Sequence, residues 1–228
     1  MDKSKLYAVL LTIFLLPITL CQAAEKSGLV TNLESGQQQT VVTYGTSLTA
    51  GGAWVKQLQQ ALDSSYPGKA KLINSGKGAM WSKWGVDNLD QRVIEKNPDT
   101  VLIEFAINDA FLRYKTSVKQ AQSNLENMIE RILKAHPKCE IILMVMNPPI
   151  GAHLERRPKI KDYYQMYREV AKERKFLLID HYPNWEKILN KDADLFNKYV
   201  PDGIHPGPEG CKEVITPKMI KALGITAK

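Results

Sequence analysis

The 228-residue sequence has only three cysteines and four histidines, and it lacks the motifs that mark common metal, redox and nucleotide sites. It contains no H-E-x-x-H, no C-x-x-C and no glycine-rich phosphate-binding loop, so we expect no metal, no nucleotide and no other cofactor. It also lacks G-x-S-x-G, the nucleophile turn of α/β-hydrolases, which argues against an ordinary member of that fold. Internal repeats and low-complexity linkers are absent as well, so we predict one folded domain.

The longest apolar run lies at the N-terminus. Two lysines precede apolar residues 6–20, and a small-residue pattern ending at Ala23 follows, which is typical of a cleaved secretory signal. An uncleaved membrane anchor is less favoured, because the run is short and contains Pro17. A lipoprotein is also less favoured, because bulky Leu20 precedes Cys21. We predict a signal peptide over residues 1–23, a secreted or periplasmic protein, and no stable membrane insertion after cleavage.

The chain is basic, with a formal net charge of +7, but most cations alternate with acidic residues. The densest basic segment spans residues 156–175 and includes Tyr163, Tyr164 and Tyr167. A solvated helix face explains this pattern better than a polyanion site, although both remain open. Export also makes nucleic acid an unexpected partner.

Two cysteines, Cys139 and Cys211, remain after the predicted cleavage, and an oxidising compartment would favour a disulfide between them. Cys139 opens an apolar strand, whereas Cys211 follows a loop that we place at the other end of the sheet. Such a strand spans roughly 25 Å, far beyond the ~7 Å Cα separation that a disulfide can bridge. We therefore predict two free, buried thiols.

Apolar runs alternate with amphipathic stretches along the rest of the chain. Runs that are continuously apolar are typical of strands buried on both faces, and they occupy residues 40–45, 70–74, 100–106, 139–146 and 176–180. Helical periodicity lies between them, over residues 54–62, 86–94 and 117–135. This alternation predicts a three-layer α/β/α sandwich with a five-stranded parallel sheet. We place the domain at residues 40–228, after an N-terminal extension over 24–39.

Ligands of such sheets bind beyond the carboxyl ends of the strands, where this sequence carries the groups that acyl transfer by a serine needs. Ser47 follows the first run and supplies a hydroxyl. Asp202 and His205 share one short loop, in which the carboxylate can orient the imidazole. Backbone N–H groups of Ser47 and of the turn at 76–79, with the Asn108 amide, can bind an oxyanion. Singly, these features more often indicate a helix N-cap or ordinary turns; together they indicate a catalytic site.

Four motifs, in this order, resemble the blocks of the SGNH (GDSL) hydrolase superfamily: Y-G-T-S-L-T, I-N-S-G-K-G-A, A-I-N-D and D-G-I-H. The resemblance covers the chain from Thr40 to the C-terminal helix. It implies a flavodoxin-like sheet, no cofactor, and a catalytic triad of Ser47, Asp202 and His205. It also implies an oxyanion hole made by the Ser47 N–H, the Asn108 side chain and a second backbone N–H.

The sequence departs from the family pattern at three positions. Thr46 replaces an aspartate that is not a triad member, and Ala106 replaces the glycine of the third block. The family's oxyanion glycine falls on Ala79, with Gly78 one place earlier. Because the oxyanion needs only a backbone N–H, either Gly78 or Ala79 can supply it, and the sequence leaves both open.

The motifs indicate an exported serine esterase that works through an acyl-enzyme. The strand-end loops are short except for residues 147–159, so we expect a small acyl group, acetyl above others, on a carbohydrate ester. Trp81 and Trp84 could stack on a sugar face or pack in the core, and His153 could line the opposite wall. The resemblance equally allows a lysophospholipase or thioesterase. A non-catalytic carbohydrate-binding protein on the same scaffold is the alternative from another class.

Overall fold

The computed structural model describes residues 26–226. The predicted signal peptide, with its cleavage after Ala23, lies outside the described residues. Within residues 26–226, no helix is both long enough and apolar enough to span a bilayer.

The centre of the fold is one five-stranded sheet in which every neighbouring pair of strands is parallel. The strand order is β2-β1-β3-β4-β5, the flavodoxin-like order. The strands are β1 Gln39–Gly45, β2 Ala70–Asn74, β3 Thr100–Glu104, β4 Glu140–Val145 and β5 Leu177–Asp180. The predicted three-layer sandwich and its parallel sheet are therefore confirmed.

Helices connect the strands and cover both faces of the sheet. The helices are α1 Gly28–Glu34, α2 Ser47–Ala50, α3 Ala53–Ser65, α4 Ser82–Asp87, α5 Leu89–Arg92, α6 Ala106–Asp109, α7 Val118–Ala135, α8 Ala152–Glu155, α9 Ile160–Arg174, α10 Tyr182–Lys191, α11 Ala193–Tyr199, α12 Pro208–Gly210 and α13 Thr216–Leu223. Short 3₁₀ turns occupy Ile94–Lys96 and Leu112–Tyr114, and a π-helical turn occupies Cys211–Ile215. Helix α7 packs beside α4 and α9, and α3 packs beside α13.

The long helices follow their apolar periodicity closely. Helix α3 buries Trp54, Leu58 and Leu62 against the sheet. Helix α7 buries the apolar positions that define its stripe, including Leu125 and Met128. These two helices confirm the patterns at 54–62 and 117–135, because one apolar face of each is removed from water.

Strand β3 and the helical pattern over 86–94 differ from the prediction in more than a terminal residue. Strand β3 stops at Glu104 rather than at 106, because Ala106 begins the one-turn helix α6. The helical pattern over 86–94 is divided among α4, α5 and a 3₁₀ turn. At the first break, the Asn88 side chain donates to the Trp84 carbonyl at 2.9 Å. The Trp84 carbonyl thus accepts both the Asn88 side chain and the Asn88 backbone N–H, the latter at 3.0 Å.

The described residues before β1, from residue 26 on, are part of the packed structure. Helix α1, within the predicted extension at 24–39, buries Leu29, Val30 and Leu33 in the common core. The Glu140 carboxylate, at the start of β4, accepts the Gly28 and Leu29 N–H groups at 2.9 and 2.8 Å. A negative charge at a helix N-terminus satisfies free N–H groups and the helix dipole together, so this contact fixes α1 against the sheet.

The basic segment at 156–175 has two distinct faces. Tyr163, Tyr164 and Tyr167 of α9 are buried in the core, so they are not available to a polyanion. Most of the cations stand toward solvent or pair with acids; Arg168, for example, contacts Asp180 at 2.8 Å. The solvated-face interpretation therefore describes α9, while Arg157, just before the helix, is a buried exception.

Both cysteines of the described range are free and buried, as predicted. Cys139 immediately precedes β4, and Cys211 opens the π-helical turn.

A buried carboxylate stands at the junction between β1 and β3. Glu104 ends β3 opposite Gly45, and its side chain is 2% exposed. It accepts hydrogen bonds from the Thr46 N–H at 2.7 Å, the Thr46 hydroxyl and the Thr49 hydroxyl. Burial raises the pKa of Glu104 to about 7, against the opposing effect of these donors. A Cβ at Gly45 would collide with this carboxylate, which explains the glycine at the end of β1.

Candidate active site

The strand order brings the predicted site residues to one edge of the sheet. Strand β1 lies between β2 and β3. The connection that leaves β1 therefore leads to its neighbour on one side, β2, and the next connection returns to its neighbour on the other side, β3. A crevice forms at such a switch point, beyond the carboxyl ends of the strands. Ser47 follows β1, and Asn108 follows β3, so the two residues flank this crevice.

Ser47 is the first residue of α2, and it is not the helix cap. The cap is Thr46, whose hydroxyl accepts the Leu48 N–H at 3.2 Å. The Ser47 hydroxyl is therefore free for another partner, which is His205. The distance from Ser47 Oγ to His205 Nε2 is 2.8 Å.

His205 is oriented by Asp202 of the same loop. The Nδ1 of His205 lies 2.5 Å from Asp202 Oδ2, while Asp202 Oδ1 accepts the N–H groups of His205 and Ile204 at 2.7 and 3.0 Å. Burial acts to raise the pKa of Asp202, but these hydrogen bonds outweigh it and lower the pKa to about 2. An ionised Asp202 holds the proton of His205 on Nδ1 and leaves Nε2 to accept the Ser47 proton.

The loop that carries Asp202 and His205 is braced by the segment after β4. The Asn147 amide donates to the Ile204 carbonyl at 3.0 Å, and the Ile150 N–H donates to the Gly203 carbonyl at 2.9 Å. Gly203 has a φ of +81°, and a Cβ there would lie 3.1 Å from Ile150. Glycine is needed here for both its left-handed backbone and its small size.

The Asn108 amide is held in one orientation by two neighbours. Its Oδ1 accepts a hydrogen bond from Arg157 Nη2 at 3.1 Å, and its Nδ2 donates to the Met80 carbonyl at 2.8 Å. One N–H of the amide is left without a protein partner among the described residues. Asn108 is 5% exposed and borders the same cavity as Ser47 and His205, so this N–H is suited to an oxyanion.

The turn after β2 places Ala79 beside Asn108. Ala79 has a φ of +58°, in the left-handed region, whereas Gly78 does not. Ala79 and Asn108 border one cavity, while Gly78 borders a second one. The left-handed turn falls at the position where the SGNH pattern has glycine, so the alanine keeps the backbone of that pattern at some conformational cost.

Arg157 is a site residue that the sequence did not reveal. It is 4% exposed, and its Nε donates to the Ile107 carbonyl at 2.7 Å in addition to the Asn108 contact. Its guanidinium lies 4.5 Å from the centre of the Phe111 ring. In the L-E-R-R-P-K run it was indistinguishable from a solvated cation, since only long-range contacts bury it.

Two cavities of different character meet at Ser47 and His205. The first, the apolar cavity, has a volume of about 270 Å³ and is lined largely by Leu48, Trp54 and Ile215 with small residues of the A-G-G run. The second, the cationic cavity, has a volume of about 230 Å³, and its side chains beyond Ser47, Ala79, Asn108 and His205 are Phe111, Arg113, Tyr114, His153, Arg157 and Ile204. The apolar cavity was not expected from the short loops, because α2, α3 and the π-helical turn build it.

The three predicted substrate-binding residues, Trp81, Trp84 and His153, have different surroundings in the structure. His153 lines the cationic cavity. Trp81 stacks on Tyr114 of that cavity, with ring centres 4.5 Å apart and planes within 13°. Trp84 borders neither cavity; it packs against the core beside Tyr44, at 5.9 Å between ring centres, so core packing explains it.

Asp109 and His181 are buried and are not members of the Ser47–His205–Asp202 chain of contacts. Asp109 is buried and accepts the Ser82 N–H and hydroxyl at the start of α4, which agrees with a capping role; burial raises its pKa to about 7. His181 is fully buried, neither of its ring nitrogens has a hydrogen-bond partner among residues 26–226, and burial lowers its pKa to about 3. Among residues 26–226, no cluster of three or more potential metal ligands occurs.

Comparison with known proteins agrees with this geometry. The family model of the GDSL-like lipase/acylhydrolase family matches residues 42–212. An acetylxylan esterase from Geobacillus stearothermophilus is 19% identical, with a TM-score of 0.70 over 83% of this chain and 96% of its own. A lipase/acylhydrolase from Enterococcus faecalis is 22% identical, with a TM-score of 0.69 over 84% and 99%. A search of curated proteins found no significant match.

At these identities the solved structures show the fold alone, whereas the family model spans most of the chain and both ends of the candidate site. The protein is thus an ester-hydrolysing serine hydrolase, and it belongs to the GDSL-like lipase/acylhydrolase family.

Proposed function

We propose that Ser47, His205 and Asp202 are the catalytic triad of an exported esterase that removes a small acyl group, acetyl, from a carbohydrate. The observation that carries the proposal is the continuous chain from Ser47 Oγ to His205 Nε2 at 2.8 Å and from His205 Nδ1 to Asp202 at 2.5 Å. A nucleophile, a base and an orienting carboxylate in hydrogen-bond contact are what acyl transfer by serine requires.

In the proposed reaction, His205 Nε2 takes the Ser47 proton as Ser47 Oγ attacks the ester carbonyl carbon. The oxyanion is bound by the N–H groups of Ser47 and Ala79 and by the free N–H of Asn108. His205 then gives its proton to the leaving alcohol oxygen, and the acyl group remains on Ser47. Water, deprotonated by His205, then attacks the acyl carbon, and the acid is released as His205 returns the proton to the departing Ser47 Oγ. Asp202 stays ionised throughout, since its pKa is about 2.

The surface around the triad is consistent with an ester whose alcohol part is bulky and polar. The side chains of His205 and Asp202 are 44% and 49% exposed, so no segment within residues 26–226 closes the triad off from solvent. The stacked pair of Trp81 and Tyr114 stands beside the cationic cavity, where an aromatic face suits a sugar ring. The acetylxylan esterase with this fold acts on an ester of the same kind. Export rests on the N-terminal sequence pattern.

The apolar cavity favours a second candidate, a lysophospholipase or thioesterase that acts on longer acyl chains. Its volume of about 270 Å³ is several times that of one water molecule, roughly 30 Å³ in the liquid. Several methylene groups could enter it beside Ser47. Acyl chain length therefore distinguishes the two candidates directly.

The first prediction concerns the triad and the Asn108 donor. Ser47→Ala and His205→Ala should each lower kcat by about 10⁴–10⁶, because the triad acts as a unit. Asn108→Ala should lower kcat by about 10²–10³ with little change in KM, as expected for loss of one preorganised donor. Steady-state kinetics on an aryl acetate, with exposed Ser64→Ala as the control, measure this. Activity of Ser47→Ala within tenfold of the wild type would contradict the assignment.

The second prediction concerns the left-handed turn at Ala79. Ala79→Gly should stabilise the protein by about 0.5–1 kcal/mol, because alanine is strained at positive φ and glycine is not. The value of kcat should stay within about threefold, since the donor is the backbone N–H. The matched control is Ala61→Gly within α3, which should destabilise by about 1 kcal/mol. Urea unfolding measures both, and a loss of stability in Ala79→Gly equal to that in the control would exclude the strained turn.

The third prediction concerns the acyl group. Across a series of p-nitrophenyl esters, kcat/KM should be highest for acetate and fall as the chain lengthens. Acetate should also be released from acetylated polysaccharides. A maximum at eight or more carbons with no acetate release would favour the lipid or thioester candidate and assign the apolar cavity to the acyl chain.

A further inference from the structure

The cationic cavity has an unbalanced set of side chains. Its lining includes two arginines, Arg113 and Arg157, and two histidines, His153 and His205, and none of its lining residues is acidic. The cavity is continuous with Ser47, Asn108 and His205, so a group bound in it would lie within a few ångströms of the reacting ester. Its charge is therefore positioned to act on the substrate itself.

Arg157 supplies a buried charge that pairs with no carboxylate in the part of the chain that the structure describes. Its three protein contacts are neutral oxygens: the Ile107 carbonyl at 2.7 Å, Asn108 Oδ1 at 3.1 Å and the His153 carbonyl at 3.3 Å. Burying a cation costs several kcal/mol unless an anion or strong acceptors compensate it. Carbonyl oxygens and the Phe111 ring face compensate in part, and an anion in the cavity would complete the compensation.

Arg113 supplies a second cation at the mouth of the cavity. It lies in the 3₁₀ turn Leu112–Tyr114, is exposed, and forms no ion pair with any of the residues 26–226. A free arginine at the mouth and a buried arginine at the wall present two guanidinium groups to one space. The planar fork of guanidinium matches the two oxygens of a carboxylate.

We propose that the cationic cavity binds a carboxylate on the alcohol part of the substrate, so that the ester cleaved is an O-acetyl group of a sugar acid. The inference rests on the proposed function: if the acyl group is acetyl, which carries no charge, the anion must belong to the alcohol. Arg113 and Arg157 bind the carboxylate, and Trp81 with Tyr114 borders the ring that carries it. Recognition of this kind lowers KM for the anionic substrate.

A matched pair of small esters tests the proposal. Para-acetoxybenzoate carries a carboxylate on the alcohol side, and its methyl ester is the neutral counterpart with the same acetyl group. Each kcat/KM is divided by the rate of hydroxide hydrolysis of the same acetyl ester, which removes the intrinsic difference in reactivity. We expect the anionic ester to be favoured about tenfold at low ionic strength, through KM, and the preference to fall as salt rises.

Variants distinguish a built subsite from general surface charge. Arg113→Gln should lower the ratio of anionic to neutral kcat/KM about fivefold or more, again through KM. Lys115→Gln removes the same charge from an exposed neighbour outside the cavity and should leave the ratio within about twofold. Because the measured quantity is a ratio, a general loss of folded protein does not alter it.

Equal normalised rates for the two esters in the wild type would overturn the carboxylate subsite and leave the proposed deacetylation intact. If Arg113→Gln and Lys115→Gln lowered the ratio of anionic to neutral kcat/KM equally, the carboxylate subsite would also be overturned. The preference for the anionic ester would then come from the positive charge of the whole surface. Failure to hydrolyse either acetyl ester, with longer acyl esters cleaved, would overturn the proposed function and this inference together.

Discussion

The turn that presents Ser47 depends on the buried Glu104 carboxylate behind it. Glu104 ends β3 and gathers the Thr46 N–H, the Thr46 hydroxyl and the Thr49 hydroxyl into one hydrogen-bonded unit. Gly45 leaves room for the carboxylate, and the hydrogen bonds hold the first turn of α2 against the neighbouring strand. The position of Ser47 thus follows from pairing between β1 and β3 and not from its own turn alone.

The same interaction explains why Thr46 stands where the SGNH pattern has aspartate. A carboxylate at that position would face Glu104, and two buried carboxylates in contact repel each other unless one is protonated. A threonine hydroxyl instead donates to Glu104 while accepting the Leu48 N–H. The departure in sequence is therefore matched to a residue 58 positions away, and the presentation of Ser47 is retained.

Much of the fold could be predicted from the sequence, because the strands are buried on both faces and their apolar runs are unbroken. Ser47 and Asn108 could be placed together for a related reason: each closely follows a strand, and parallel strands bring those ends to one edge. Asp202 and His205 lie in the loop between α11 and α12, and their place at the same site was predicted from the D-x-x-H motif. Arg157, Glu104 and the apolar cavity could not be found in this way. Their surroundings are made by contacts between distant segments, and the residue types alone gave no local signal. Trp84 illustrates an alternative that the sequence left open, since a tryptophan near a site is as readily part of the core.

Two cavities meet at Ser47 and His205. The cationic cavity distinguishes the candidate substrates by the charge of their alcohol part, and the apolar cavity distinguishes them by the length of their acyl chain. The reaction at Ser47 is the same for all of these substrates.

The proposed reaction requires that Ser47 is the nucleophile of this serine hydrolase. Reaction of the folded protein with a fluorophosphonate probe, followed by peptide mapping, tests it most directly. We expect one covalent adduct on Ser47, formed much more slowly in His205→Ala and absent after unfolding. An adduct on another residue, or no adduct on folded, stable protein, would contradict it.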